Sequence, residues 1–112
     1  MAGNFYRVSP FLVDQSLGAT FTSNAFSVGE FDHVGVQYVT TGSAALNGSL
    51  QLQRSVDGIS WDNFLTADTV TGDTVICKQI TDIYFGYIRI VYTRTAGTAT
   101  LNVKLGTINH QY

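Results

Sequence analysis

Few side chains in this 112-residue chain have the chemistry of a nucleophile or a general base. The two histidines are His33, at the start of a predicted strand, and His110, in the C-terminal tail. A hydrolytic triad needs a base held between a nucleophile and an orienting acid, and a terminal tail is a poor place to hold that geometry. Cys77 alternates within a predicted strand, where a buried and unreactive thiol is expected. With no Gly-x-Ser-x-Gly motif present, the sequence predicts no catalytic residue and no enzyme.

Acidic residues could act as calcium ligands or as a pair of catalytic carboxylates. Calcium needs about six to eight oxygens that converge on one point, and the sequence contains no Asp-x-Asp-x-Asp arrangement. Glu30 and Asp32 lie on one face of a predicted strand and, with Asp62, could form a pair for glycoside cleavage, although solvated charges at a rim are the preferred interpretation. Turn formation explains the remaining carboxylates, so no metal and no cofactor is expected. The acidic residues in or near predicted turns are Asp57, Asp62, Asp68, Asp73 and Asp82.

Aromatic side chains offer a third kind of chemistry, which is stacking against a sugar ring. The candidates for such a platform are Trp61, Phe64, Tyr84, Phe85 and Tyr87. Trp61 is expected to pack over the core of a β-sandwich instead. Tyr84 and Tyr87 are the better candidates for an exposed contact surface, because tyrosine is enriched at protein interfaces.

The elements that must position these residues are β-strands. Leu50 and Leu52 alternate with glutamines in the two-residue period of a half-buried strand. Asp57 and Gly58 then supply a tight turn, and Trp61 lies on the predicted return strand, which makes a hairpin. Thr, Val and aromatic residues favour strands along the rest of the chain, and no window shows sustained helical periodicity.

The whole chain is therefore predicted to be all-β, as a single antiparallel β-sandwich of jelly-roll-like type with about eight strands. Residues 1–13 are expected to form an N-terminal arm or edge strand, because Pro10 removes a ladder donor. Residues 14–108 form the predicted sandwich domain, and residues 109–112 form a short tail. Residues 41–48 are predicted to be a loop. Residues 87–105 are predicted to be a long hairpin that turns at residues 94–98.

The composition indicates a surface with little charge. Charged residues make up 12% of the chain, against about 25% in a typical soluble domain, and the net charge is −2. The six basic residues are scattered, which argues against nucleic-acid binding. No apolar stretch is long enough for a membrane span and no secretory signal is apparent, so synthesis in the cytosol is expected. A neutral surface packs against other proteins with little desolvation of charge.

Two segments resemble small β-sandwich proteins of tailed-phage particles. The first, residues 50–61, contains an S-x-D-G-x-x-W motif made by Ser55, Asp57, Gly58 and Trp61. The second, residues 87–103, begins with the sequence YIRIVYT and continues to a glycine and an alternating apolar strand. Discoidin-like carbohydrate-binding domains show a looser similarity to the first segment.

The resemblance implies a virion structural protein, and the size suits a capsid decoration or cement protein that binds between capsomers. It further implies the major capsid protein or other virion proteins as partners and a homo-oligomer, with a trimer favoured. The termini, residues 1–13 or 109–112, are expected to reach onto neighbouring subunits. The alternative is a glycan- or receptor-binding module of a phage tail or cell surface. The expected contact residues are Phe5, Tyr6, Arg7, Tyr84, Tyr87 and Tyr112.

Overall fold

Seven antiparallel β-strands in a single hydrogen-bonded sheet make up the fold, seen in a computed structural model that describes residues 3–81 and 83–111. Side chains are described for residues 7–81 and 83–108. No helix occurs in the described part of the chain, so the all-β prediction is confirmed. The strands are β1 (Gly3–Ser16), β2 (Phe21–Thr22), β3 (Phe26–Ser27), β4 (His33–Ser55), β5 (Asp62–Val70), β6 (Thr74–Ile80) and β7 (Tyr87–Gln111).

Two long strands, β4 and β7, form the spine of the sheet. They pair from His33 opposite Ile108 to Ser55 opposite Tyr87. Different strands flank the two ends of this spine. Half A consists of β1, β6, residues 33–40 of β4 and residues 100–111 of β7. Half B consists of β2, β3, β5, residues 48–55 of β4 and residues 87–94 of β7.

Both long strands bend between the two halves. Their register shifts between residues 41 and 48 of β4. Left-handed backbone occurs at Gly42 (φ 61°), Ala45 (φ 51°) and Gly97 (φ 76°). The segments predicted as a loop (41–48) and a turn (94–98) are therefore corners within continuous strands, and the predicted hairpin over residues 87–105 was wrong. Gly97 bends β7 without reversing it, because the whole length of β4 provides a hydrogen-bonding partner on both sides of the corner.

The corner folds half A over half B, so one sheet forms both layers of a sandwich. Lys78 in half A places its Nζ 2.7 Å from Asp68 Oδ2 in half B, although their partners Val36 and Leu50 lie far apart along β4. At another edge the rings of Phe11 on β1 and Phe26 on β3 are 5.4 Å apart. Contacts between the halves at two edges show that their inner faces enclose one core.

Alternating residues of the long strands fill this core. The predicted alternation holds on both: one face of each strand is buried and the other is at least partly exposed. Each fully buried aliphatic side chain contributes about 1.5–3 kcal/mol. Trp61 lies outside the core, so its predicted packing over the core was wrong. Its ring instead stacks against Arg89, whose guanidinium carbon is 4.3 Å from the ring centroid. Buried core residues of the spine are Val34, Val36, Tyr38, Leu46, Leu50, Leu52, Ile88, Ile90, Tyr92, Ala99, Leu101, Val103 and Leu105.

The termini lie side by side in half A. β1 pairs with β7 from Gly3 opposite Gln111 to Ser16 opposite Thr100. The predicted boundary between residues 13 and 14 falls inside β1, whose Phe11 and Leu12 pack against the core. Residues 109–111, which were predicted to be a tail, pair with residues 3–5.

Candidate interaction surfaces

A shallow depression lies on the outer face of half A, and two facing glycines form its floor. Gly35 of β4 pairs with Gly106 of β7, and both point away from the core because their neighbours Val34, Val36 and Leu105 are buried. Two glycines side by side leave the backbone bare, so the surrounding side chains enclose a volume of about 320 Å³. We call this feature the glycine depression. Its rim is formed by Val8, His33, Gln37, Cys77, Gln79, Lys104 and Ile108.

The face around the glycine depression exposes apolar side chains among polar ones and carries little charge. Val8 and Val75 are exposed to 57% and 59%, although valine is among the residues most often buried. Of the two lysines near the depression, Lys78 points inward to Asp68. Lys104 is exposed on the outer face. This face can bury apolar area against another protein while desolvating little charge. Both properties are typical of the centre of a protein interface.

Cys77 and His33 both lie on the rim of the glycine depression, but they do not form a catalytic pair. Cys77 is opposite Gln37, and His33 is four positions from Gln37 along β4, which is about 13 Å at the rise of a strand. Cys77 is exposed, so the expectation of a buried thiol was wrong. The other face of β6 points inward, because it carries Ile76 and Ile80 to the core and Lys78 to Asp68.

The predicted Asp57–Gly58 turn is an ordered cap at the end of half B. Asp57 Oδ1 accepts hydrogen bonds from the backbone N–H groups of Ile59 (2.8 Å) and Ser60 (3.0 Å) and from the hydroxyl of Ser55 (3.0 Å). The N–H of Gly58 (φ 78°) donates to Ser55 Oγ. The hydrogen bonds from Ser60, Ile59 and Ser55 lower the pKa of the Asp57 carboxyl, since they favour its ionised form.

Asp57→Ala is expected to lower the melting temperature by a few degrees, because two backbone N–H groups lose their acceptor. The folded-state pKa of Asp57 is lower than its unfolded value. Its contribution is therefore present above the ordinary carboxyl range and is lost as the pH falls below about 4. Thermal unfolding of wild type, Asp57→Ala and Asp57→Asn between pH 3 and pH 7 checks this. Asp57→Asn keeps the acceptor oxygen, so it should lose only the pH-dependent part of the stabilisation. Equal pH profiles of the melting temperature for all three proteins would contradict the role of the Asp57 carboxylate.

A second hollow, of about 460 Å³, lies beside this turn. Tyr84, a predicted contact residue, lines it and is 79% exposed, and Val56 on the same hollow is exposed as well. Tyr87 is half-buried, with its ring against Gly58, so it supports the turn and presents less of its surface than Tyr84. The polar groups on this hollow are Arg54, Ser55, Asp57, Ser60 and Asp62.

The remaining predicted contact residues lie near the chain termini. Arg7 is exposed on β1. The side chains of Phe5 and Tyr6, and the whole of Tyr112, lie outside the described residues. The exposed valines and the paired glycines were not recognised in the sequence. Alternation places Gly35 and Gly106 on outer faces, but only the register of β4 against β7 puts them opposite each other.

Several carboxylates of the described chain are engaged in structural contacts. Asp68 pairs with Lys78, Asp62 with Arg54, and Asp73 accepts the N–H of Ser43, which lowers the pKa of the Asp73 carboxyl. Within residues 3–81 and 83–111, no three His, Cys, Asp or Glu side chains come together as a group that could hold a metal ion. No helix in the same residues is long and apolar enough to cross a membrane.

Comparison with known proteins identifies a similar fold but no family. No protein-family model and no curated protein sequence matches the chain. Among solved structures, the fold is similar to that in the crystal structure of the PBSX exported protein XepA, with a TM-score of 0.66 and 13% sequence identity. The similarity covers 95% of this chain and 38% of the XepA chain, so this chain spans less than half the length of XepA. The chain therefore shares its β-sandwich fold with one part of XepA.

Proposed function

We propose that the chain is a structural protein of a bacteriophage particle, made in the host cytoplasm and assembled into the virion. The motifs in residues 50–61 and 87–103 resemble those of phage particle proteins, and the similar fold of XepA occurs in a phage-related protein. A role in assembly requires no catalytic group, no cofactor and no membrane or nucleic-acid contact. It requires surfaces that bind other proteins.

Within the particle, we propose the role of a capsid decoration protein that binds the major capsid protein between capsomers and forms a homo-oligomer. The observation that carries this proposal is the outer face of half A, which carries little charge, exposes valines and contains the glycine depression. A rigid sheet face suits this role, because its residues lose little conformational entropy when they bind. The depression accepts a side chain of the partner, and the valines bury apolar area around that side chain.

The test is co-sedimentation with empty shells of the phage that encodes the chain. Wild-type protein is expected to bind shells saturably and to raise the temperature at which they break. Gly35→Gln fills the depression and is expected to weaken binding by about tenfold, the effect of losing about 1.4 kcal/mol of interface energy. The variant should fold, because a Cβ at Gly35 would lie 3.8 Å from the nearest neighbouring atom, Gly106 O.

Gly72→Gln is the matched control, because a Cβ at Gly72 has no neighbour within 4 Å. It adds the same side chain in the connection between β5 and β6 and is expected to bind shells like wild type. Absence of wild-type binding would overturn the decoration role. Equal binding by Gly35→Gln would exclude the glycine depression as its site.

A glycan- or receptor-binding role is the second candidate, favoured by the hollow beside Tyr84. An exposed aromatic ring next to carboxylate, guanidinium and hydroxyl groups is the combination that holds a sugar by stacking and hydrogen bonds. Saturable binding to host surface polysaccharide that Tyr84→Ala abolishes would support it. Binding that survives Tyr84→Ala, or an empty glycan array, would count against it.

A further inference from the structure

The sheet ends in several edge elements, and most of them carry features that prevent pairing with another chain. β1 contains Pro10, and its register shifts between Pro10 and Leu12 and again before Gln15. β5 contains Leu65 in left-handed conformation (φ 64°), and its pairing with β4 is shifted. β2 and β3 have two residues each. Prolines, bulges and short strands are the usual means by which proteins block sheet edges.

β6 has none of these features. It pairs with β4 without a register shift from Val34 opposite Ile80 to Thr40 opposite Thr74. Its sequence, TVICKQI, contains no proline and one charged residue, Lys78. That lysine points inward, where its Nζ lies 2.7 Å from Asp68 Oδ2 and 2.9 Å from the carbonyl oxygen of Thr66. The seven residues of β6 thus form a regular edge with no outward charge.

The backbone of this edge has unused hydrogen-bonding groups. Thr74 directs its N–H toward β4, where it donates to Thr40 Oγ1 (2.9 Å). Because the direction of these groups alternates along an antiparallel strand, Val75, Cys77 and Gln79 direct their N–H and C=O groups away from β4. Within the described residues, β6 pairs with β4 and with no other strand. An edge of this kind is a template for one more strand.

We propose that β6 pairs antiparallel with β6 of a second copy of this chain, around a two-fold axis at Cys77. Cys77 is the middle residue of β6, so this register alone pairs all seven residues. It places Val75 opposite Gln79 of the second copy, and Cys77 opposite Cys77. Each of the three facing pairs exchanges two backbone hydrogen bonds. The four strands of half A then continue into those of the second copy as one eight-stranded sheet.

A second copy suits this edge better than a charged partner strand, because the outward row is neutral and pairs with itself without placing like charges opposite each other. The two-fold pair takes the place of the trimer that the resemblance implies. It also sets the outer faces of two copies of half A side by side, which doubles the weakly charged surface that the proposed function offers to a capsid. This dimer is the homo-oligomer of the proposed function, and in that respect alone it rests on the proposed function.

The test uses opposite charges at Cys77. Sedimentation equilibrium of the reduced wild-type chain is expected to show a monomer–dimer equilibrium. Cys77→Lys places two lysines opposite each other and Cys77→Asp two aspartates, so each variant alone should weaken the dimer at least tenfold. An equimolar mixture should restore it as a heterodimer. Since Cys77 is exposed, both variants should melt close to the wild-type temperature.

A thiol-reactive crosslinker gives a second readout from the natural residue. The Cβ atoms of a hydrogen-bonded antiparallel pair are about 5.5 Å apart, beyond the ~3.5–4.5 Å that a disulfide needs. A short bismaleimide should therefore link wild-type dimers through Cys77. Thr93→Lys, which adds a charge to an exposed position of half B, is the control and should dimerise normally.

A monomer at all concentrations up to the millimolar range, a trimer, or a dimer that both Cys77 variants retain would overturn the proposal. So would a mixture that fails to restore the dimer. A dimer that ignores phage shells would overturn the decoration role and leave the β6 pairing intact.

Discussion

Gly97→Ala is expected to lower the free energy of unfolding by about 3 kcal/mol, among the larger effects of adding one methyl group. Gly97 has a φ of 76°, a conformation that side-chain-bearing residues adopt at a cost. Its added Cβ would also overlap the carbonyl group of Ala45 on β4, and both are backbone atoms that cannot rotate away. The corner of β7 would have to separate from the corner of β4, and the two layers of the sandwich meet through that corner.

Two other glycines separate the causes of this effect. Gly42 has a φ of 61° but no neighbour within 4 Å of an added Cβ, so Gly42→Ala should cost about 1 kcal/mol from conformation alone. Gly72 has neither a left-handed φ nor a close neighbour, and Gly72→Ala should stay within about 0.5 kcal/mol of wild type. Urea unfolding of the three variants measures the order of their free energies of unfolding. A Gly97→Ala protein as stable as Gly42→Ala would show that the two corners are not in close contact.

Asp68→Ala is expected to destabilise the chain by about 2 kcal/mol, because it leaves the Lys78 ammonium without its counterion between the two layers. The side chains of Lys78 and Asp68 are only 14% and 22% exposed. Burial raises the pKa of the Tyr38 hydroxyl, and the nearby Asp68 carboxylate raises it further. Lys78→Met should cost a similar amount, since the carboxylate then lacks its partner.

A double replacement tests whether the charges or the contact hold the layers together. Asp68→Leu combined with Lys78→Met should recover most of the lost stability, because an apolar pair needs no desolvation of charge. The exposed pair Arg54–Asp62 is the control: its atoms are 3.4 Å apart and its side chains 38% and 66% exposed. Asp62→Ala should change stability by less than about 0.5 kcal/mol. Chemical denaturation of all variants measures these differences, and an Asp68→Ala protein as stable as Asp62→Ala would contradict the role of the inner pair.

Local sequence pattern predicted the strands and their inner faces better than it predicted their connections. Val34, Val36 and Tyr38 alternate with outward residues, and they are buried as that period requires. The corner at Gly97 was misread as a hairpin turn because a left-handed glycine serves both purposes. Only the pairing of β7 with the whole of β4 distinguishes a bend from a reversal, and that pairing joins residues distant in sequence.

The candidate surfaces were predicted less completely for a related reason. Tyr84 is exposed, and its role as a contact residue stays a prediction that rests on the enrichment of tyrosine at interfaces. On β6 both faces carry apolar residues, and the expectation of a buried Cys77 placed the wrong face inward. Lys78 points inward instead, because Asp68 on the opposite layer is its partner.

The sequence by itself determined an all-β chain, the core-facing sides of the two long strands, the Asp57–Gly58 turn and the scarcity of charge, because each depends on residues within a few positions of one another. Only the tertiary structure decided that two long strands fold one sheet over itself, that Gly35 faces Gly106, and that β6 remains as a regular open edge. These features depend on register and on the packing of one layer against the other, to which residues far apart in the chain contribute together.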